Sequence, residues 1–268
     1  MTHPEKRAVR PALWIGLALC VFFIGCMSPP EAQVYEDEIL SAEELFLEAT
    51  EILEIGRNSL LFKETDYLDA IDVFQEIIDN YPFSDYAIEA ELRIADAYFE
   101  REHWEEALSY YRDFADLHPD HGKVAYTVWQ SALCLYNQTY VSSKDQGATR
   151  QAIAQLEQMM QYYPEAPEAE ESERLWKELR GRLGESEMMV GDFYMEREEY
   201  QSAAERYRGV LDSFPGLGLD ADALYKLGVC YQRMNLDDQA RQVFQVILEN
   251  YEGTKVAEAA QEAIPAAN

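Results

Sequence analysis

The chain has 268 residues, and its 22 Lys+Arg against 51 Asp+Glu give a formal net charge of −29 at neutral pH. So acidic a balance excludes a DNA- or RNA-binding surface, which needs a basic footprint to displace counterions. Disordered acidic chains are poor in aromatics, whereas this one is 12% aromatic and 48% hydrophobic, and its 13 Gly and 10 Pro are too sparse for a sandwich or barrel and favour helices.

At the N-terminus Lys6, Arg7 and Arg10 outnumber Glu5, and Ala12 to Gly25 is an uncharged, mostly apolar run. As a helix that run spans roughly 21 Å, short of the ~30 Å hydrocarbon core. A basic segment before a short apolar one predicts a secretory signal peptide over residues 1–25. The sequence Phe23-Ile24-Gly25-Cys26, followed by the turn-forming Ser28-Pro29-Pro30, resembles a bacterial lipobox. It departs from that pattern at Phe23, where Leu is usual, and at Ile24, where a small residue is usual. Cys20 is the other candidate, with a bulky Leu19 at the cut, and a buried signal-anchor cysteine is the other reading of Cys26. The lipobox resemblance implies thioether lipidation of Cys26 and, because residue 27 is Met and not Asp, sorting to the periplasmic face of the outer membrane. Several acyl chains make a stable anchor, at ~0.8 kcal/mol per buried methylene. Residues 26–43, acidic and Pro-containing, read as a lipidated tether.

From Glu44 the apolar pattern turns helical, and it repeats. An alanine precedes a bulky residue by four positions and a Tyr-Pro-like stop by twelve: Ala70, Phe74, Pro82; Ala107, Tyr111, Pro119; Ala152, Leu156, Pro164; Ala203, Tyr207, Pro215; Ala240, Phe244 and Glu252. Twelve residues before the alanine stands a small residue in three copies, Ala95, Gly191 and Gly228, each followed three later by Tyr98, Tyr194 or Tyr231. Small residues let two antiparallel helices approach, the aromatic fills the gap beside them, and proline ends the second helix. This is similar to the tetratricopeptide (TPR) signature on a lengthened period. The predicted fold is therefore all-α, a TPR superhelix of about five helix-turn-helix repeats, with repeats 1–2 over 44–119, repeats 3–5 over 120–253, and a terminal helix and tail over 254–268.

Two repeats carry insertions. The stretch Asn137 to Gly147 predicts a loop inside the third repeat, and Pro167 predicts the first turn of a long helix reaching towards Arg197, weakened at Gly181 and Gly184 where it would bend. Cys134 and Cys230 lie in apolar helical patterns and read as buried structural thiols. His118-Pro119-Asp120-His121 has some metal-ligand flavour but falls at a helix stop, where His and Asp are recruited for turn chemistry. The sequence has no G-x-S-x-G, phosphate-binding glycine loop or H-E-x-x-H. A TPR solenoid presents a curved surface to peptides or domains, so a binding and scaffolding role is expected, not an enzyme.

A lipobox, a short tether and five such repeats together resemble the BamD family, the TPR lipoproteins of the β-barrel assembly machinery. The resemblance covers roughly Tyr67 to Tyr251. It is carried by Tyr81-Pro-Phe-Ser-Asp-Tyr86-Ala, by Asp145-Gln-Gly-Ala-Thr-Arg150-Gln-Ala-Ile, and by Leu179-Arg-Gly-Arg-Leu183 with Val190-Gly-Asp-Phe-Tyr194; Tyr163-Pro-Glu-Ala-Pro-Glu departs from it. The resemblance implies a protein held by its lipid at the outer membrane, without cofactor or nucleotide. Its implied partners are a POTRA domain of BamA, docked on the C-terminal repeats, the other assembly-machinery lipoproteins, and unfolded outer-membrane proteins received by the N-terminal repeats. It matches Arg206 to a family arginine that pairs with a BamA carboxylate; pairing with Glu199 or Glu205 is the local alternative. Tyr81, Phe83 and Tyr86 are the candidate substrate residues, because the fixed backbone of Pro82 splays Tyr81 and Phe83 apart and all three cannot be core. Another TPR lipoprotein, such as a secretin pilotin or a cell-wall-synthesis regulator, would share tether and groove.

Overall fold

The computed structural model describes residues 39–58, 64–141 and 146–264, and among these every regular element is a helix. The proposed signal peptide, Cys26 and most of the tether lie outside the described residues. From Leu40 onward the chain forms one compact unit. In chain order the helices are α1 (Ala42–Asn58), α2 (Glu64–Asn80), α3 (Asp85–Glu100), α4 (Trp104–Leu117), α5 (Val124–Val141), α6 (Gln146–Tyr162), α7 (Ala169–Glu196), α8 (Tyr200–Ser213), α9 (Asp220–Arg233), α10 (Asp237–Asn250) and α11 (Lys255–Ala263). They pair consecutively into five helical hairpins, with α11 packed over the last.

The repeating triplet is the inner stripe of each second helix. Ala70, Phe74 and Ile77 on α2, Ala107, Tyr111 and Phe114 on α4, and Ala152, Leu156 and Met159 on α6 are at most 1% exposed. So are Ala203, Tyr207 and Val210 on α8, and Ala240, Phe244 and Ile247 on α10. Positions i, i+4 and i+7 share one helical face, which is why a fixed interval in sequence becomes a continuous core. Each second helix ends where predicted. The N–H groups of Tyr81, His118, Tyr163, Phe214 and Tyr251 donate the last bonds to Ile77, Phe114, Met159, Val210 and Ile247, and the proline that follows four of them has no N–H to continue.

First helices end by a different device. In the second, fourth and fifth pairs, Glu102, Glu198 and Asn235 adopt φ of 62°, 62° and 59°. The N–H of the residue after each, in His103, Glu199 and Leu236, then reaches back to the carbonyls of Tyr98, Tyr194 and Tyr231. This six-to-one closure caps a helix C-terminus, so the recurrent tyrosine also marks where the first helix stops. The small residue upstream is required by packing at two positions. A Cβ on Gly191 would lie 2.5 Å from the Tyr207 ring, and one on Gly228 would lie 2.5 Å from the Phe244 ring.

Four expectations are corrected. The third pair's connection is shorter than predicted, because α5 continues through Val141 and α6 starts at Gln146. Thr139 there is satisfied within the helix, donating to the Tyr136 carbonyl at 2.7 Å. Pro167 precedes α7 in a turn and is not in its first helical turn. α7 is also unbroken for 28 residues across Gly181 and Gly184. It spans two cores: Leu175 and Leu179 pack with the second and third pairs, and Met188 with the fourth and fifth. The tether also ends earlier than predicted. α1 begins at Ala42 behind a capping box in which the Ser41 hydroxyl accepts from Glu44 N–H at 3.3 Å while the Glu44 carboxylate accepts from Ser41 N–H at 2.9 Å. The terminal helix, capped by the Thr254 hydroxyl accepting from Ala257 N–H at 3.2 Å, lies within the 254–268 segment read as a terminal helix and tail.

Candidate functional site

The corner between α2 and α3 gives three aromatic side chains three different surroundings. Tyr81 packs against the first core and donates its hydroxyl to the Leu40 carbonyl at 2.6 Å, fastening the start of α1 to the end of α2. Tyr86 packs its ring against Phe46 of α1 at 5.5 Å between centroids. Partial desolvation, then the Glu43 carboxylate, raise its phenol above the usual pKa. Phe83, between them, is fully exposed. The splaying expected of Pro82 is present, and Phe83 is the ring left facing solvent.

Arg206 sits on α8 and pairs through Nη1 with Glu187 Oε2 of α7 at 3.0 Å, not with Glu199 or Glu205. Its guanidinium is 45% exposed. The neighbouring Glu187 raises its pKa. A guanidinium has five N–H donors, so one carboxylate does not exhaust it. The histidines at the end of α4 are engaged in turn chemistry. His118 Nε2 lies 2.8 Å from Glu91 Oε2, His121 Nδ1 accepts from Lys123 N–H at 3.2 Å, and both rings pack on Phe114. Cys134 and Cys230 are buried free thiols, and burial pushes them up to about 12 and about 11, far from a reactive thiolate.

Successive first helices are joined by polar side chains. Arg57 of α1 pairs with Glu100 of α3 at 2.5 Å, and the Tyr136 hydroxyl of α5 donates to Glu178 of α7 at 2.9 Å. Two of these junctions centre on an aspartate. Asp96 of α3 accepts from the Tyr111 hydroxyl at 2.7 Å and the Tyr126 hydroxyl of α5 at 2.8 Å. Asp192 of α7 accepts from the Tyr207 hydroxyl at 2.6 Å and from Lys226 Nζ of α9 at 2.8 and 2.9 Å. Burial raises the Asp96 carboxyl above its usual pKa, and the two phenols and Arg93 pull it back only in part. Burial pushes the same way at Asp192, but Lys226 and Tyr207 overrule it and hold that carboxyl below its usual pKa. The sequence reading did not single out these aspartates. The available signal was an acid directly after the small residue, at Ala95-Asp96 and Gly191-Asp192, with a tyrosine fifteen residues on.

The family model that matches the chain is YfiO, described as an outer membrane lipoprotein, over residues 47–263. The chain belongs to this family. It is similar to proteins called outer membrane protein assembly factor BamD in Caulobacter vibrioides (24% identical, covering 92% of this chain and 78% of that protein) and Neisseria gonorrhoeae (25%, with 88% of each chain). The Vibrio cholerae protein of the same name is 25% identical over 87% of this chain and 95% of its own. Among solved structures it is similar to the TPR2AB domain of yeast Sti1 (13% identical, TM-score 0.41, covering 83% and 84% of the two chains). A TPR protein from Thermus thermophilus is 15% identical, with TM-score 0.34 and 83% and 98% covered. The match to the YfiO family takes in all five hairpins, from within α1 to the end of α11. No helix among the described residues is long and apolar enough to cross a membrane.

Proposed function

We propose that this protein is an outer-membrane assembly factor: a scaffold, anchored through lipid on Cys26 at the periplasmic face, that helps insert β-barrel proteins. The observation that carries the reading is the similarity along nearly the whole chain to proteins named outer membrane protein assembly factor BamD. In this reading the repeats of residues 44–119 receive unfolded barrel segments, and those of residues 120–253 dock on a POTRA domain of BamA. The exposed guanidinium of Arg206 suits a carboxylate across such an interface. Fully exposed Phe83, beside the anchored Tyr81 and Tyr86, suits the aromatic residues of an extended segment.

The test is co-purification from detergent-solubilised membranes. The expected result is recovery of BamA with the wild-type chain and its loss from a folded Arg206→Glu variant, while Cys26→Ser loses metabolic palmitate label. Recovery of a secretin or a murein synthase in place of BamA would overturn the reading. For the substrate corner, Phe83→Ala is expected to weaken crosslinking to a C-terminal barrel peptide with the thermal midpoint unchanged, because the ring has no packing to lose.

A further inference from the structure

The two aspartate junctions occupy the same place in the repeat and differ in two slots: Tyr126 and Gln130 on α5 stand where α9 has Asp222 and Lys226, and Lys226 also pairs with Asp222 at 3.3 Å. Lys226 stands two residues before Gly228 on α9, and Gln130 stands two before Ala132 on α5. Lys226 places an ammonium on both oxygens of Asp192. Gln130 is neutral. Its amide donates to the Tyr126 hydroxyl at 2.9 Å and the Tyr111 hydroxyl at 3.4 Å, and both hydroxyls converge on Oδ1 of Asp96.

The nearby cations make their direct ion pairs to other acids, Arg93 to Glu89 at 3.1 Å and Arg57 to Glu100 at 2.8 and 2.5 Å, although Arg93 still lowers the pKa of the Asp96 carboxyl. Asp96 is thus a half-desolvated carboxylate held by uncharged donors. Asp96, Tyr126 and Gln130 are all partly exposed, so the corner is open to solvent. Phe99, one turn beyond Asp96, and Trp129, one turn beyond Tyr126, are half-buried aromatics on the same two helices. Apolar surface beside a carboxylate is what a long cationic side chain covers with its methylene stem.

We propose that the Asp96 corner is a subsite for the cationic side chain, lysine or arginine, of an extended polypeptide lying along the first helices. The proposal rests on the reading that the N-terminal repeats receive extended segments, and it adds a requirement for a basic residue in them. The protein's own Lys226 shows the geometry on the equivalent carboxylate, Asp192: an ammonium on both its oxygens, with the Tyr207 hydroxyl as co-donor and Asp222 as a second acid at 3.3 Å. A charge-assisted bond to a carboxylate is stronger than the neutral ones that now hold Asp96.

The experiment titrates the full chain with three fluorescent, aromatic-rich peptides identical except at a central lysine, acetyl-lysine or norleucine, with free putrescine as competitor. Wild type is expected to bind the lysine peptide about tenfold tighter than the other two, a difference of about 1.4 kcal/mol. Asp96→Asn is expected to bring the ratio to about one, and so is Gln130→Lys, which carries its own ammonium into the slot. If Gln130→Lys does not fold, Asp96→Asn and the acetyl-lysine peptide still decide. Equal binding of all three peptides by wild type overturns the subsite and leaves the substrate reading standing, whereas binding of none overturns both. A lysine preference that survives in Asp96→Asn overturns the assignment to Asp96. Putrescine that displaces the lysine peptide at equal affinity, dependent on Asp96, overturns the polypeptide source in favour of a free diamine.

Discussion

At the junction of the second and third hairpins Asp96 is held by the hydroxyls of Tyr111 and Tyr126; at that of the fourth and fifth, Asp192 is held by the hydroxyl of Tyr207 and the ammonium of Lys226. Both aspartates follow the small residue of their first helix, and both tyrosines follow the invariant alanine by four. The packing differs as well. Alanine suffices at Ala95 and Ala132, whereas Gly191 and Gly228 have an aromatic ring where a Cβ would stand. One backbone plan thus yields a tight, charge-neutralised joint near the C-terminus and a looser one that keeps an open carboxylate near the N-terminus. The difference separates a part of the stack that satisfies itself from a part with capacity for a ligand.

The largest effect should come from breaking the tight joint sterically. Gly191→Ala and Gly228→Ala force the Tyr207 and Phe244 rings out of contact. Overpacking of this kind typically costs about 1–3 kcal/mol, against which the helix-propensity gain of alanine over glycine, about 1 kcal/mol, works in the opposite sense. A net loss in urea or thermal melts is expected for both variants. At the other joint Ala95→Gly should cost about 1–2 kcal/mol, from helix propensity together with the loss of a buried methyl. If Gly191→Ala proved stabilising, close approach of the helices would not be what fixes glycine there.

The next effect is electrostatic and has opposite signs at the two joints. Asp192 has a depressed folded pKa, so its contribution is complete above its unfolded value, near 3.8, and is lost as pH falls through the folded one. Asp96 has a raised folded pKa, so its ionisation favours the unfolded chain, and stability is lost as pH rises through that value. Asp192→Asn should therefore be destabilising at neutral pH, with the penalty vanishing in acid. Asp96→Asn should be neutral or mildly stabilising at neutral pH, with the gain fading in acid. Lys226→Gln, which removes the ammonium but leaves Asp222 where α5 has Tyr126, should cost about 1 kcal/mol at neutral pH, near the low end for a lost charged partner because the pair is partly exposed. Thermal midpoints measured from strongly acidic to neutral pH check all three, and parallel profiles for the two Asn variants would refute the contrast.

What one buried helix face fixes was largely legible beforehand, as was the close approach at Gly191 and Gly228, whereas the polar joints between helices were not. The alanine–aromatic–proline interval reads directly because one buried face of one helix fixes it. Ala132 escaped because the third hairpin has twenty residues, not twelve, between its small residue and Ala152. Asn137 to Val141 looked like loop by composition, yet it continues α5, and Arg182 of α7 reaches Thr139 at 3.3 Å. The aspartate junctions bring together residues fifteen to thirty-four positions apart on three helices. Sequence spacing shows the acid and the tyrosine there, but only the stacked helices show that Gln130 and Lys226 share a slot. Of the aromatic corner, the splaying at Pro82 was readable; the contact that ties Tyr86 to Phe46 depends on where α1 lies.

The smallest effect concerns the acid one turn before two of the small residues, Ala95 and Gly191. Glu187 meets Arg206 at 3.0 Å, and its counterpart Glu91 meets His118 at 2.8 Å. The Arg206–Glu187 pair is exposed, 45% and 38% by side chain, so water and salt screen it and holding two long side chains together offsets part of the attraction. Arg206→Gln should change stability by less than about 1 kcal/mol, and the difference from wild type should shrink further at high salt. The Glu91–His118 pair is less exposed, at 23% and 22%, and its ring also packs on Phe114. His118→Gln should therefore cost more than Arg206→Gln, and that excess should persist in salt because part of it is packing. Melts of both variants at low and high salt give the comparison. A large, salt-insensitive loss for Arg206→Gln would make Arg206 a structural residue of the α7–α8 hairpin, and failure to bind BamA could then no longer be assigned to the interface. A small, salt-sensitive one leaves the guanidinium free to serve a partner.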